Sequence, residues 1–597
     1  MSDRSDPDNS HSQSSSGTAT ASRMSSTAAA ARSSSAQPHG KALVSEGRQY
    51  VITSRRPDSM FATFPPAGLD QVEQSLKTTP EVEILDRIHE RGGEGSPRID
   101  GAISVLVARM NDQTAQILRG QGQGQLIVEP DQLLHLSHYD PEPAVVTGIA
   151  AAVGPVLSPT IVVLGKDNTP VREAEVCLFG ALATASGLTD DRGHVTLSLS
   201  GETVQSVCSL YVKPKSDYWT FYLEQPALET SQPNLVFLRS LADTFPGFPR
   251  QQVFGWGQRA MRLDQLPAQF RGQARKVAII DSGVATGHVD LQRIKAGKDL
   301  TNRGDGATTW NQDTVSHGSH CAGVIGAAEN SLGIRGFAPE AEIHVCKLFP
   351  GGRISNLAEA IEYCIENQID VANVSVGATE RSEVIEQQVL RAKRQGVALI
   401  AAAGNSSGRV EFPASSPNVL AVAAIGKWGE FPPDSYHGRT LGMVDPNGFF
   451  SPRFTCFGPE VALCAPGVAI LSAVPPNNYA VRDGTSLAAA HVTGLAALVL
   501  AHHPDFQGPF KVRNAARVDR LFAILRASAV PLQFGDPRRT GFGLPDVLIA
   551  LGLAPPVSAT LSMIAAPAPG SFSALYAPAQ IAQFRMAPYQ RTPVAAW

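Results

Sequence analysis

Cysteine is scarce in this 597-residue chain: there are seven, at positions 177, 208, 321, 346, 364, 456 and 464, an odd number with no framework spacing. That argues against an obligatory disulfide set and makes a reducing compartment the simpler setting. An excess of one charge is lacking too. Fifty Lys and Arg against 54 Asp and Glu give a formal net charge of −4, so nothing here calls for nucleic acid or an anionic membrane as partner. No stretch reads as a membrane span: Leu487 to Ala501 is apolar but short and includes His491, and the region after Val547 is broken by Pro555-Pro556. Residues 1–47 are Ser/Ala-rich, carry Asp3, Asp6 and Asp8, and hold no apolar core of a secretory signal, so the expectation is a disordered segment and a cytoplasmic protein, with export by a non-standard route left open. No internal repeat stands out.

What is present is enough apolar material, 43% of residues, to bury several cores. Three short segments also carry chemistry: Val277-Ala-Ile-Ile-Asp281-Ser-Gly, His317-Gly-Ser-His-Cys-Ala-Gly323 and Gly484-Thr-Ser486-Leu-Ala-Ala-Ala-His-Val-Thr-Gly494. A serine hydroxyl is a poor nucleophile near neutral pH. It needs an imidazole to take its proton, and the imidazole needs a carboxylate to hold its tautomer and steady its positive charge. Ser486, His317 and Asp281 fill those roles. Lys276 to Ile280 reads as a buried parallel strand delivering Asp281 at its C-terminal end, the edge where open α/β sheets build their sites. His317 opens a small-residue stretch, Gly318 to Ala328, that reads as a helix. Ser486 opens the apolar run Leu487 to Ala501, which places it at a helix N-terminus where developing negative charge is favoured.

On these segments the chain resembles the subtilisin-like serine proteases over about Gln252 to Leu551, and Gly541-Phe-Gly-Leu544 resembles the closing motif of that family. The resemblance implies a doubly wound, mostly parallel α/β catalytic domain. It implies that Asn405, in Ala401-Ala-Ala-Gly-Asn405, joins the Ser486 N–H in holding the oxyanion. It also implies that Ser375, Val376 and Gly377, facing a strand over Leu348 to Ser355 that includes Gly352, hold an extended peptide as an added β-strand, with Gly404 beside it. Two positions depart from the family: Leu487 and Ala490 stand where Met and Pro are usual. Cys321, one helical turn after His317, matches the proteinase K branch and implies sensitivity to mercurials, while by itself it reads as a small buried hydrophobe. Alignment also sets Gln252, Asp290, Ala328, Asn330, Leu332 and Ile334 on the family's structural Ca²⁺ site, an all-oxygen shell of side chains and carbonyls. It sets Glu411, ahead of Phe412-Pro413, either at the base of the pocket for the side chain preceding the scissile bond, favouring Lys or Arg, or, because the loop before it is short, toward water.

Outside that region, residues 48–140 read as strand (Gln49–Thr53), helix (Leu69–Ile88), strand (Ala102–Met110), helix (Asp112–Leu118) and strand (Gln125–Leu136). This resembles the ferredoxin-like propeptide that inhibits such proteases. Residues 141–243 read as a β-sandwich of immunoglobulin-like or carboxypeptidase-regulatory-like type, with strands at Thr160–Leu164, Ala174–Phe179 and His194–Leu199. Residues 244–553 form the peptidase domain, and 554–597 a Pro/Ala-rich flexible tail. The expectation is thus a monomeric serine endopeptidase with peptide or protein substrates, its own N-terminal domain as inhibitor and no organic cofactor. A transamidase using the same residues, or a latent non-catalytic scaffold, are the alternatives.

Overall fold

The computed structural model describes residues 47–55, 68–88, 104–137, 154–301 and 309–556; the expected disordered segment except its last residue, Gly47, and all but the first residues of the expected tail lie outside them.

The first unit is a four-stranded antiparallel sheet carrying two helices. In chain order come β1 (Arg48–Ser54), α1 (Leu69–Thr78), β2 (Glu83–Ile88), β3 (Val105–Met110), α2 (Asp112–Gln121) and β4 (Leu126–Pro130), with spatial order β2-β3-β1-β4. The two-residue period of a strand explains its two faces. Tyr50, Ile52, Leu106 and Ala108 point to one side and close a core with Leu69, Leu76 and Ala115 of the helices. Val51, Val105 and Val107 point to the other and join the core of the peptidase region.

Two readings from sequence change here. Leu69 to Ile88 is not one helix: α1 stops at Thr78 and β2 follows. Pro80 forces Thr79 into extended backbone (φ −84, ψ 119), and Glu81 turns at φ 68. Nor is Gln125 to Leu136 one strand. β4 ends at Pro130, which has no N–H for the ladder, and His135–Leu136 (β5) pairs antiparallel with Val376–Gly377 of the peptidase region instead.

Residues 154–240 form a module of two main sheets, here called the two-sheet module, together with a short antiparallel pair, Val156–Leu157 with Leu199–Ser200. One sheet runs His194–Thr196, Thr160–Leu164, Asn234–Phe237; the other runs Phe221–Glu224, Val207–Lys213, Glu175–Gly180, Thr184–Leu188. Ile161, Val163 and Val236 of the first and Val176, Leu178, Leu210 and Val212 of the second share one core.

The peptidase region is α/β. Its main sheet runs Ala296–Asp299, Glu342–Lys347, Lys276–Asp281, Val371–Val374, Ala398–Ala402, Leu420–Lys427, all parallel, and Val461–Pro466 adds parallel to the last of these. The strand ending at Asp281 lies where chain order reverses, with the next strands on one side and Val371–Val374 on the other. Such switch points open crevices at the C-terminal edge of a sheet. Helix Thr485–His502 is long and apolar enough to cross a membrane, but 89% of its apolar window is buried inside the protein: it is a core helix.

His491 lies within this helix. Its Nδ1 is 2.7 Å from the Leu487 carbonyl, its ring meets Phe337 edge-on, and burial lowers its pKa to about 4. A histidine kept neutral in the fold but free to protonate near its ordinary 6.5 when unfolded withdraws stability as pH falls from about 6.5 to about 4, by on the order of 3 kcal/mol. In a Ser486→Ala background, which removes self-digestion, His491→Gln is therefore expected to flatten the slope of unfolding free energy against pH by about one proton in that window. An unchanged slope in denaturant titrations would contradict it.

Candidate active site

Asp281 arrives at the end of its strand, His317 is the first residue of helix His317–Gly326, and Ser486 is the second residue of helix Thr485–His502. Gly484, before that helix, adopts φ 152, a conformation that L side chains rarely take. The three side chains meet: His317 Nδ1 lies 2.7 Å from Asp281 Oδ1, and His317 Nε2 lies 2.9 Å from Ser486 Oγ. All three residues are fully buried. Asp281 Oδ1 also accepts the Ser282 N–H, leaving Nδ1 of the imidazole protonated against it and Nε2 as the base facing the hydroxyl.

Asn405 is held by its oxygen. Oδ1 accepts from the Thr485 N–H at 3.0 Å and the Thr485 hydroxyl at 2.9 Å, so the amide is pinned to the residue preceding the nucleophile. Its Nδ2 is buried with no hydrogen-bond partner among the described residues. A buried amide N–H₂ without an acceptor costs about 1–3 kcal/mol. The arrangement leaves this donor without an acceptor beside Thr485 and Ser486.

The cleft is filled by the chain itself. Leu134 N–H donates to the Gly352 carbonyl at 2.8 Å, β5 pairs His135 with Gly377 and Leu136 with Val376, and Ser137 N–H donates to the Ser375 carbonyl at 2.9 Å. Ser486 Oγ then donates to the Ser137 carbonyl oxygen at 2.6 Å. The Ser486 hydroxyl has one proton and two acceptors within reach, His317 Nε2 and this carbonyl. The facing strand expected over Leu348 to Ser355 is shorter than that: Arg353 makes a single bridge to Leu133, and a helix starts at Ile354. Asp131 caps that helix, accepting from Ser355 N–H at 2.9 Å and its hydroxyl at 2.8 Å, and Glu129 caps helix Glu383–Arg394 through Ser382, Glu383 and Val384.

Glu411 faces this segment. Its carboxylate lies 2.9 Å from His135 Nε2 and accepts from Ser406 Oγ at 2.8 Å. Burial by itself would raise its pKa, but the hydrogen bonds from His135 and Ser406 bring it below the ordinary value. Gly404, at φ 108, has no room for a side chain because Glu411 Cδ lies 2.4 Å from where a Cβ would stand. Cys321 is buried 3.7 Å from Ser375 Oγ, its Sγ clustered with Asp281 and His317, and burial pushes its thiol pKa well up. All seven cysteines are free thiols. Leu487 and Ala490 are buried in the nucleophile's helix.

Sequence reading missed Asp313. Its Oδ2 accepts from Ser319 N–H (2.8 Å) and Oγ (2.6 Å), its Oδ1 from Ser316 N–H (2.7 Å) and Ser282 Oγ (2.9 Å), tying the start of the His317 helix to the end of the Asp281 strand. Burial raises its pKa. The cluster of hydroxyl and small residues after it was the only local signal.

The residues aligned for an ion also converge. Around Gln252 Nε2 stand the carbonyls of Ala328 (2.8 Å), Leu332 (3.1 Å) and Ile334 (3.0 Å) and Asn330 Oδ1 (3.5 Å). Buried Asp290 adjoins them, accepting from Asn330 Nδ2 at 3.0 Å, Ile334 N–H at 3.2 Å and the Tyr479 hydroxyl at 2.8 Å.

The family model described as "Subtilase family" matches residues 272–543. Subtilisin DY of Bacillus licheniformis is 31% identical over 305 residues, half of this chain and 98% of its own length. The chain belongs to the subtilase family. A subtilisin of Bacillus pumilus is 34% identical over 279 residues, 45% of this subtilase and 90% of the relative; a thermostable alkaline protease of Halalkalibacterium halodurans is 35% identical over 260 residues, 43% and 65%. As a subtilase, the protein is a subtilisin-like serine endopeptidase.

If the unpartnered Asn405 amide serves the oxyanion, Asn405→Ala lowers kcat about 100- to 1,000-fold with little change in KM. Steady-state hydrolysis of a chromogenic peptide, after the N-terminal unit has been freed by an added protease at a site inserted after Ser137, measures both, and an unaltered kcat would remove Asn405 from the chemistry.

Proposed function

We propose that this subtilase is a latent endopeptidase acting through Asp281, His317, Ser486 and Asn405, and that its first substrate is its own Ser137–His138 bond. The observation that carries this reading is the contact between Ser486 Oγ and the Ser137 carbonyl oxygen, at the end of a segment held as an added strand. In the reaction the Ser486 proton passes to His317 Nε2 while Oγ attacks the Ser137 carbonyl carbon, and Asp281 steadies the imidazolium. The carbonyl oxygen becomes an oxyanion, met by Asn405 Nδ2 and the Ser486 N–H. His317 returns the proton to the departing amine of His138, and water, deprotonated by the same imidazole, frees the acyl-enzyme. Other peptides then enter along Ser375–Gly377 and Gly352 once the N-terminal unit leaves. That unit acts meanwhile as an intramolecular inhibitor, its Glu129 and Asp131 seated on two peptidase helices.

The sequence reading set Glu411 at the pocket for the residue preceding the scissile bond, but on this register that residue is Ser137 and Glu411 meets His135, two residues earlier, so its carboxylate supports a preference for a basic side chain at the third position ahead of the bond.

The convergent oxygens support a structural Ca²⁺. Three carbonyls and Asn330 Oδ1 ring the Gln252 amide, and an amide turned by 180° presents its own oxygen to the same point, with Asp290 adjoining; this is the hard oxygen set that Ca²⁺ takes. The ion would tie Gln252, on the way into the peptidase region, to the Ala328–Ile334 loop, contributing stability and no chemistry.

Two measurements test these readings. Intact mass of freshly purified wild type is expected to show fragments divided between Ser137 and His138, with Ser486→Ala remaining whole; two intact chains would refute self-processing. Removal of calcium with a chelator is expected to lower Tm by several degrees and its return to restore it, whereas an unchanged Tm would refute the ion.

A further inference from the structure

We propose that the two-sheet module, residues 154–240, stays with the mature enzyme and that its Asp217 is a positioning residue for the nucleophile. The proposal rests on the self-processing reading above, in which the cut falls ahead of the module. The hairpin Ile470–Val474/Asn478–Arg482 runs directly into Asp483, Gly484, Thr485 and Ser486. The module grips both ends of its second strand.

At the far end, Asp217 N–H donates to the Tyr479 carbonyl at 2.7 Å, its Oδ1 accepts from Tyr479 N–H at 3.3 Å, and its Oδ2 accepts from Asn478 Nδ2. Asp217 is held at φ 65, a left-handed conformation sustained only where surrounding contacts require it. At the near end, Trp219 leaves its own module. It is 1% exposed and belongs to the peptidase core, with its ring edge-on to His437 and its Nε1 on Thr244. His437 Nδ1 meets Asp483 Oδ1 at 2.7 Å, and that oxygen also accepts the Ala469 N–H. Asp483 is three residues before Ser486, so the module holds the strand directly at its start and, through His437, at its end just ahead of the turn that delivers Ser486.

The stretch joining module to peptidase offers no extended strand for a second cut. Leu241 and Phe248 are buried, Leu241 N–H returns to the Asp217 carbonyl, Val253 N–H to Gly333, and Gln252 sits among the convergent carbonyls. Contact with the N-terminal unit differs, since a single cut at Ser137–His138 leaves that unit attached by non-covalent contacts alone.

The test has two parts. After self-processing, intact mass is expected to show a chain beginning at His138 with the module still attached. A second cut between 238 and 252, with kcat undiminished in the shortened enzyme, would overturn retention. For positioning, Asp217→Ala is made in the full chain carrying an inserted site for an added narrow-specificity protease after Ser137, so that removal of the N-terminal unit does not depend on self-processing. The expected result is a kcat lowered at least tenfold with KM within twofold, the same factor in the rate of Ser486 labelling by a fluorophosphonate, and recovery of most of the loss on exchanging the partners, Asp217→Asn with Asn478→Asp. A lowered Tm with kcat unchanged well below it would make the module a stabiliser only and overturn the proposal. If Asp217→Ala does not fold, Asp217→Asn alone, similar in shape, is judged by the same criterion. Absence of a cut in the unmodified wild type would count against self-processing, while the supplied-cut chain still decides the role of Asp217.

Discussion

The helix from Thr485 to His502 is the constraint on which the site depends. Its surface is apolar on every side and its first sixteen residues are buried, so it cannot shift without opening the core around it. Ser486 on its first turn is therefore a fixed point. The other groups are brought to it: Asn405 by two hydrogen bonds to Thr485, and His317 by a helix start that Asp313 fastens to the Asp281 strand. On the proposed reading, this rigidity at Ser486 lets the unpartnered Asn405 amide nitrogen be aimed at a charge that exists only during reaction.

Two attachments converge on the hairpin ahead of that helix. Tyr479 shares its backbone with Asp217 of the two-sheet module and gives its hydroxyl to Asp290, beside the convergent oxygens. Phe248, on the segment entering the peptidase region, packs edge-on against the same Tyr479 ring. One aromatic residue thus joins the proposed ion site, the module and the strand that carries the nucleophile, which makes their stabilities interdependent.

The N-terminal unit is held in the cleft by three kinds of contact. Antiparallel pairing at His135 and Leu136 supplies backbone hydrogen bonds, and Glu129 and Asp131 supply charges at two helix N-termini, where the unpaired N–H groups welcome them. The apolar side of its sheet, through Val51, Val105 and Val107, adds burial. None of these contacts is covalent, so once Ser137 and His138 part the unit is held by them alone, without the high effective concentration of a joined chain.

The amino-acid sequence by itself determined the chemistry-bearing segments and their local structure. An apolar β-branched run ending in Asp281, a small-residue stretch opened by His317 and an apolar run opened by Ser486 each express a rule acting within a few residues of chain. Where a local rule was overlooked, as with Pro80 ending a helix, the reading erred even though the information was present. Tertiary structure alone decided that Ser137 is the residue under Ser486, that Glu411 meets His135, and that Asp217 and Trp219 reach past their own module to the nucleophile's strand. These pairs are separated by 349, 276 and more than 200 positions. Contacts between such distant residues depend on how whole sheets and helices stack, and nothing in the neighbourhood of either partner encodes them.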